Sequence, residues 1–415
     1  MTGHHRARRL YHAALTTVFA LGLAACSDVP NTIFGAHSEF GHAEDRLTYL
    51  LLTLGGLVFV LVEGLLLFVV LKFRARPGNP TPKQTHGNTT LEVTWTLIPA
   101  LILAFIAVPT VRTIFQTQEK APADALQVEV IGHQWWWEFR YPQYKVTTAN
   151  ELYLPVGRTV SFTLQTNDVI HSFWIPQLGG KRDLVHRNKP NYLWFTPESS
   201  FVWNGFCAEY CGTSHSNMRF RVFTVPQQEF EAYIAHQQSG PAFPVAQATP
   251  ADTAKGKGAA PVAAQQVAQT TPAAPGPSEN TGTWPHDKLP AWSVPNTPLP
   301  AGLTMTAEEG DAARGAQLFK ASPCIACHTI QGVSPGTIGP NLTHVGSRTT
   351  IGGGLYPNDL KHLAMWIKDA PMMKPGVIMP AMGKDAPQVP GAPPKMGQYT
   401  DQQIADIAAY LSSLK

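Results

Sequence analysis

The chain has 415 residues, 31 of them Lys or Arg and 28 Asp or Glu, for a formal net charge of +3. That length calls for more than one core, and a near-balanced charge with no basic block interleaved with aromatics argues against nucleic acid as a partner. A mean hydropathy of −0.08 excludes a polytopic membrane protein, yet two long apolar runs stand near the N-terminus, so the chain reads as anchored, with most of its mass outside the bilayer.

The five cysteines fall into three groups: Cys26 alone, Cys207 with Cys211, and Cys324 with Cys327. A disulfide framework is the competing reading for an exported chain. Spacings of three and two intervening residues beside histidines fit metal or haem chemistry better.

Residues 1–26 run from a basic stretch (His4, His5, Arg6, Arg8, Arg9) through an apolar segment to Leu23-Ala-Ala-Cys26. This is the pattern of a bacterial lipoprotein signal whose cysteine accepts lipid. An ordinary signal peptide cleaved at nearby small residues would leave Cys26 without a role. Either reading exports the remainder of the chain.

Residues 27–120 form a predicted transmembrane hairpin, with spans at about 47–71 and 93–115, each near the ~20 residues that cross a bilayer. The loop between them holds Lys72, Arg74, Arg76 and Lys83 and no acid before Glu92. Excess positive charge places that loop in the cytoplasm, so everything beyond residue 116 is expected on the periplasmic side of a bacterial inner membrane. Glu63 lies inside the first span, where an ionisable group is costly without a protein or water partner. It reads either as an acid kept protonated in the hairpin or as a proton-entry carboxylate at an interface with another membrane subunit.

From 121 to 237, β-rich runs such as 127–131, 159–164 and 220–225 alternate with Gly, Pro and Asn turns, the signature of an all-β sandwich or barrel. Within it, residues 207–218 carry Cys207, Cys211, His215 and Met218, and His171 stands upstream. Thiolate, thioether and imidazole ligands suit copper, and this set exceeds what one blue-copper ion uses. Two coppers are the economical reading: Cys207 and Cys211 bridging, His171 and His215 one on each, Met218 a weak axial ligand, and the Glu209 carbonyl serving the second ion. A structural zinc site competes, but it leaves Met218 unexplained.

His171-Ser-Phe-Trp-Ile-Pro176 and Cys207-x-Glu-x-Cys-Gly-x-x-His-x-x-Met218 resemble the dinuclear-copper (CuA) domain of cytochrome c oxidase subunit II. His86-Gly-Asn-Thr-Thr-Leu-Glu-Val-Thr-Trp-Thr-Leu-Ile-Pro99 and Gly132-His-Gln-Trp-Trp-Trp-Glu-Phe139 are similar to that family too, and the likeness covers about residues 40–230. The resemblance implies a cupredoxin-like barrel whose copper pair passes single electrons to a catalytic haem-copper subunit I within a larger oxidase. It further implies that Trp135 is the electron-entry aromatic on the surface, that the Glu209 carboxylate shares a magnesium with that subunit, and that Glu63 lies at the mouth of a proton channel. Barrel packing is the alternative role for at least one of Trp135, Trp136 and Trp137.

Residues 238–300, rich in Ala, Pro, Gln, Thr and Gly, read as a tether too poor in apolar content to order itself. At about 60 residues its flexible-chain span would be roughly 40 Å, letting the last domain, 301–415, swing onto the copper domain. There Ala313-Arg-Gly-Ala-Gln-Leu-Phe319 starts a helix leading to Cys324-Ile-Ala-Cys-His328, the attachment signature of a c-type haem. The two thiols join the haem vinyls and His328 binds the iron. A thioredoxin-like redox pair has no use for His328. Met379 is the expected second axial ligand, with Met382 next, and Met372, Met373 and Met396 are expected to be packing or loop residues. Gly339-Pro-Asn-Leu342 and the amphipathic helix at 401–411 resemble an all-α class I cytochrome c, a likeness implying that the Pro340 carbonyl orients His328.

The expected whole is subunit II of a caa-type oxidase: a two-helix transmembrane hairpin, a cupredoxin-like barrel with CuA, and a cytochrome c domain with one haem c. Cytochrome c or another periplasmic donor would feed it, and membrane lipid would anchor it. A copper-containing nitric oxide reductase subunit and a free-standing, membrane-anchored electron shuttle are the alternatives. A quinol oxidase is disfavoured because every copper ligand is present.

Overall fold

The computed structural model describes residues 16–17, 31–241 and 282–415, apart from positions 75, 79–83, 85, 187, 286, 287 and 308. Cys26 and the middle of the tether, 242–281, lie outside the described residues. The chain divides into two compact units, residues 1–116 with 176–180 and residues 117–175 with 181–415.

The first unit holds helices α1 (Glu39–Lys72) and α2 (Thr89–Thr117), each long and apolar enough to cross a membrane and each containing one of the expected spans. Ser38 caps α1: its hydroxyl accepts from the Gly41 amide at 3.0 Å and donates to the Leu178 carbonyl, satisfying one of the helix's orphan donors. Most side chains along both helices are exposed, with Val60 at 69% and Val108 at 70%. An apolar surface of that extent demands lipid or a protein partner. Glu63 sits on this exposed surface, midway along α1.

The second unit begins with a nearly closed barrel of ten strands: β1 (Leu126–His133), β2 (Trp136–Tyr141), β3 (Val146–Ala149), β4 (Glu151–Pro155), β5 (Val160–Thr166), β6 (His171–Ile175), β7 (Gly179–His186), β8 (Asn191–Phe195), β9 (Phe201–Cys207) and β10 (Arg219–Val225). Their order is β3-β2-β1-β5-β7-β6-β9-β10-β4, with β8 added to β5. The two terminal strands are joined by Asn150 alone. Asn150 takes a left-handed conformation (φ 61°) that asparagine tolerates better than most residues. Its side-chain oxygen accepts from the Trp137 amide and its own amide donates to the Trp137 carbonyl, both at 2.9 Å. Trp137, Phe139, Phe162, Phe173, Phe195 and Phe220 fill the interior. Phe173 and Phe220 stack at 4.9 Å, and a Cβ on Gly205 would meet the Phe220 ring at 2.1 Å, so only glycine fits beside it.

Helix α3 (Gln227–Gln238) seals the barrel through Phe230, Tyr233 and Ile234. Trp284 and Trp292, expected in a free tether, instead pack on the copper domain, and Leu299 packs against the core of the last domain. The Trp284 amide donates to the Tyr153 hydroxyl at 3.0 Å, and the Trp284 and Trp292 rings lie 5.9 and 6.0 Å from those of Phe223 and Phe201. Two tryptophans supply the apolar area that orders their stretch, so the expected span of the whole 238–300 segment is an overestimate.

The last domain is built from α4 (Ala312–Lys320), α5 (Cys324–Cys327), α6 (Leu360–Lys368), α7 (Ala370–Met373) and α8 (Asp401–Ser413). Thr400 and Gln403 form a reciprocal cap on α8. Helices α4 and α8 cross at glycine, since a Cβ on Gly315 would stand 1.9 Å from the Asp406 carbonyl. Arg314 ties the same crossing with two bonds to the Asp406 carboxylate, at 3.0 and 2.9 Å. Phe319, Ile404, Ile407 and Leu411 share the core they enclose.

This domain rests on the barrel. One contact pairs His236 of α3 with His344, ring centroids 4.5 Å apart. Burial, with the neighbouring His344 second, pushes the His236 pKa down to about 4.

These packings lead to two expected outcomes. Gly315→Ala forces α4 and α8 apart and should lower the stability of the haem domain by about 1–3 kcal/mol or more, read as an earlier denaturant transition of that domain. Because docking holds His236 neutral, the separated domains bind more protons. Docking should therefore be at full strength above the ordinary histidine pKa near 6.5 and weaken as pH falls toward about 4, read as a loss of amide protection at residues 344–347 relative to the intrinsic exchange rate at each pH.

Candidate functional site

The cysteine loop after β9 brings together every residue expected to bind copper. Cys207 Sγ and Cys211 Sγ lie 3.7 Å apart. His171 Nδ1 is 3.8 Å from Cys207 Sγ, His215 Nδ1 is 3.7 Å from Cys211 Sγ, and Met218 Sδ is 3.8 Å from Cys211 Sγ. The Glu209 carbonyl is 3.2 Å from Cys207 Sγ. His171, Cys207 and Cys211 form a cluster of metal-binding geometry, all three buried. Two sulfurs held between two imidazoles, a thioether and a carbonyl match a two-copper donor set and give Met218 a place that zinc would not. The contact between the thiols lets Cys211 stabilise the Cys207 thiolate, so the pair readily gives up one proton.

The supports of this site escaped the sequence. Asp168 Oδ1 holds His171 Nε2 at 2.7 Å, which turns Nδ1 to the sulfurs. Burial raises the Asp168 carboxyl, but hydrogen bonds from His171 and from the Gln134 amide outweigh it and hold the group below its ordinary pKa. The i, i+3 spacing of Asp168 and His171 is the signal that could have found it. Gly132 lies under the His171 ring, where a Cβ would stand 2.6 Å from Cδ2. Glu209 and Tyr210 are exposed at the outer edge of the loop, leaving the Glu209 carboxylate open to an external partner.

The haem-attachment turn sits on α5 at the wall of a cavity lined by Cys324, Cys327 and His328, by Leu342 and Trp366, and, further along the chain, by Met379. The Pro340 carbonyl lies 2.9 Å from His328 Nδ1, leaving Nε2 for an iron. A Cβ on Gly339 would press on the same ring at 2.6 Å. Burial pushes the His328 pKa below its usual value against the raising effect of the Pro340 hydrogen bond, with Arg348 adding to the fall, which favours the neutral imidazole that ligation needs. This apolar pocket with an oriented imidazole fits a haem. Met382 also lines it but is 3% exposed and belongs to the domain's packed core, whereas Met379 lies outside that core. Met372 and Met373 pack there as expected, and Met396 is 59% exposed at the rim.

Trp135 corrects an expectation. It is 8% exposed, not a surface residue, because the haem domain covers it. Its Nε1 donates to the Cys211 carbonyl at 3.0 Å, and a Cβ on Gly212 would lie 3.0 Å from the ring. On the other side a Cβ on Gly376 would lie 2.8 Å away, and Trp135 also lines the haem cavity. The indole thus touches the cysteine loop on one side and lines the cavity beside the haem-attachment turn on the other. Trp136 stacks on His133 at 4.1 Å, and Trp137 is barrel core.

Three family models match: the transmembrane domain of cytochrome c oxidase subunit II over residues 36–113, its periplasmic domain over 145–225, and cytochrome c over 312–415. Cytochrome c oxidase subunit 2 of Alkalihalophilus pseudofirmus is 31% identical over 365 residues, 86% of this chain and 83% of that protein. The chain belongs to the cytochrome c oxidase subunit 2 family. It is an oxidoreductase subunit of a haem-copper oxidase, with two transmembrane helices, a copper-site domain and a cytochrome c domain. The subunit 2 of Bacillus sp. PS3 is 30% identical over 83% of this chain and 80% of its own length. Quinol oxidase subunit 2 of Bacillus spizizenii is 33% identical over 55% of this chain and 71% of its own length.

Replacing Asp168 by Ala frees His171 to rotate. Copper affinity, measured by competition with a chelator, should fall about 10- to 100-fold, the usual effect of removing a ligand's orienting partner.

Proposed function

We propose that this chain is the electron-entry subunit of a caa-type terminal oxidase. It would take single electrons from cytochrome c or another periplasmic donor and deliver them to subunit I, where oxygen is reduced to water with proton translocation. The observation that carries the reading is Trp135, bonded to the Cys211 carbonyl on one face and lining the haem cavity with the other.

In this reading His171, Cys207, Cys211, His215, Met218 and the Glu209 carbonyl would hold a dinuclear copper centre. Cys324 and Cys327 would anchor one haem c, with His328 and Met379 as the residues that would bind its iron. Bound there, the two cofactors supply one-electron chemistry at potentials set by their ligands and burial. The protein's own work is positional. Asp168 and Pro340 fix the two imidazoles, Trp135 fills the space between the sites with a polarisable ring, and the glycines at 132, 212, 339 and 376 let these groups approach.

The exposed Glu209 carboxylate would share a magnesium with subunit I, and Glu63, on the apolar face of α1, would meet a proton path there. Cys26 would carry the lipid of a bacterial inner-membrane lipoprotein, with both redox domains on the periplasmic side.

The test is purification of the complex in mild detergent followed by rapid reduction of the haem. Copper reduction and oxygen consumption should follow haem reduction. Cys207→Ser should remove the copper-pair spectrum and oxygen uptake while the haem remains reducible. A copper-pair spectrum that survives the substitution, or a chain with no oxygen-consuming partner, would sink the proposal.

A further inference from the structure

Two buried ionisable side chains, Glu151 of the barrel and Lys374 at the edge of the haem cavity, join the haem domain to the barrel. At one end, Glu151 opens β4 and is 3% exposed. Its Oε1 accepts from the Thr349 amide at 2.7 Å, the Thr349 hydroxyl at 2.6 Å, the Thr350 amide at 3.0 Å and the Thr350 hydroxyl at 3.4 Å. Arg221 of β10 donates to the Thr349 hydroxyl at 3.3 Å and completes this corner. At the other end Lys374, 1% exposed, donates from Nζ to the Trp135 carbonyl at 2.7 Å and to the Gly352 carbonyl at 3.0 Å.

Backbone groups of the haem domain make further contacts. The Arg219 amide donates to the Gly353 carbonyl at 3.2 Å, the Ser214 hydroxyl donates to the Pro375 carbonyl, and a Cβ on Gly376 would lie 2.8 Å from the Trp135 indole. A buried charge is tolerated while its hydrogen bonds are intact and is costly when they are lost without water replacing them. Partial sliding of the domains would put both Glu151 and Lys374 in that condition. The interface therefore favours two states, docked in one register or fully released.

We propose that Glu151 and Lys374 are positioning residues that lock the haem domain in a single register over Trp135, so that electrons pass between the domains without a domain-swinging step. The proposal rests on the electron-entry reading above.

The test uses the whole oxidase complex, as wild type, Glu151→Gln, Lys374→Met and the double variant. Two readouts are followed: amide exchange at residues 349–354 and 374–377, and electron equilibration between haem and copper after photochemical injection of one electron, at rising sucrose viscosity. In the wild type the equilibration rate should be independent of viscosity. In the double variant exchange should rise about tenfold or more, the scale expected for losing charge-assisted hydrogen bonds, and the rate should fall and become viscosity-dependent.

A viscosity-dependent wild-type rate, or a double variant with wild-type exchange and rate, overturns the lock. Should Lys374→Met lose its haem, Glu151→Gln decides alone, because that residue belongs to the other domain and is expected to move both readouts in the same direction. If the electron never equilibrates in the wild type, the electron-entry reading fails, while the exchange data still judge the lock.

Discussion

The hydrogen bond from the Trp135 indole to the Cys211 carbonyl links the fold to its chemistry. A carbonyl within the cysteine loop has few partners available to it, and here it accepts from both the Trp135 indole and the Gln134 side-chain amide, at 3.0 and 2.7 Å. The β1–β2 connection is thereby tied to the loop that gathers the sulfurs. Much else depends on this tie: Gly212 must be glycine to admit the ring, and the haem domain must present Gly376 to cover it. The packing on each side of the indole is set by the absence of a side chain.

Residues whose chemistry is rare are legible in the sequence. Two cysteines, a histidine and a methionine within twelve residues, or two cysteines followed by histidine, have few uses besides metal and haem, and His171 is readable beside them through its flanking pattern. The hairpin is legible because bilayer thickness fixes a length and lipid fixes a composition. Less is available for common residues that act by position. Asp168 is an acid in a turn, Glu151 an acid at a strand start and Lys374 a lysine near a proline. Glu151 and Lys374 gain their meaning from partners far away in the chain, whereas Asp168 has its partner three residues on and is hidden only by how common acids in turns are.

Trp135 and the tether show the same limit from the other side. The tryptophan reads as exposed because the barrel alone would expose it, and composition says nothing about a second domain settling on top. The tether reads as uniform because its average composition is poor in apolar groups. Trp284 and Trp292 depart locally from that average, and their rings pack on Phe223 and Phe201 of the barrel. A window average hides such anchors.

Asn150 has a consequence for how the molecule matures. Its left-handed turn joins the two terminal strands, and the next residue is Glu151, whose carboxylate receives the haem domain. Pairing of β4 with β10 and the two bonds between Asn150 and Trp137 together hold Glu151 where Thr349 and Thr350 reach it. Docking is thus conditional on barrel closure. The seating of the second domain acts as a built-in inspection of the first, and a chain whose copper domain is misfolded leaves its haem domain unattached to it.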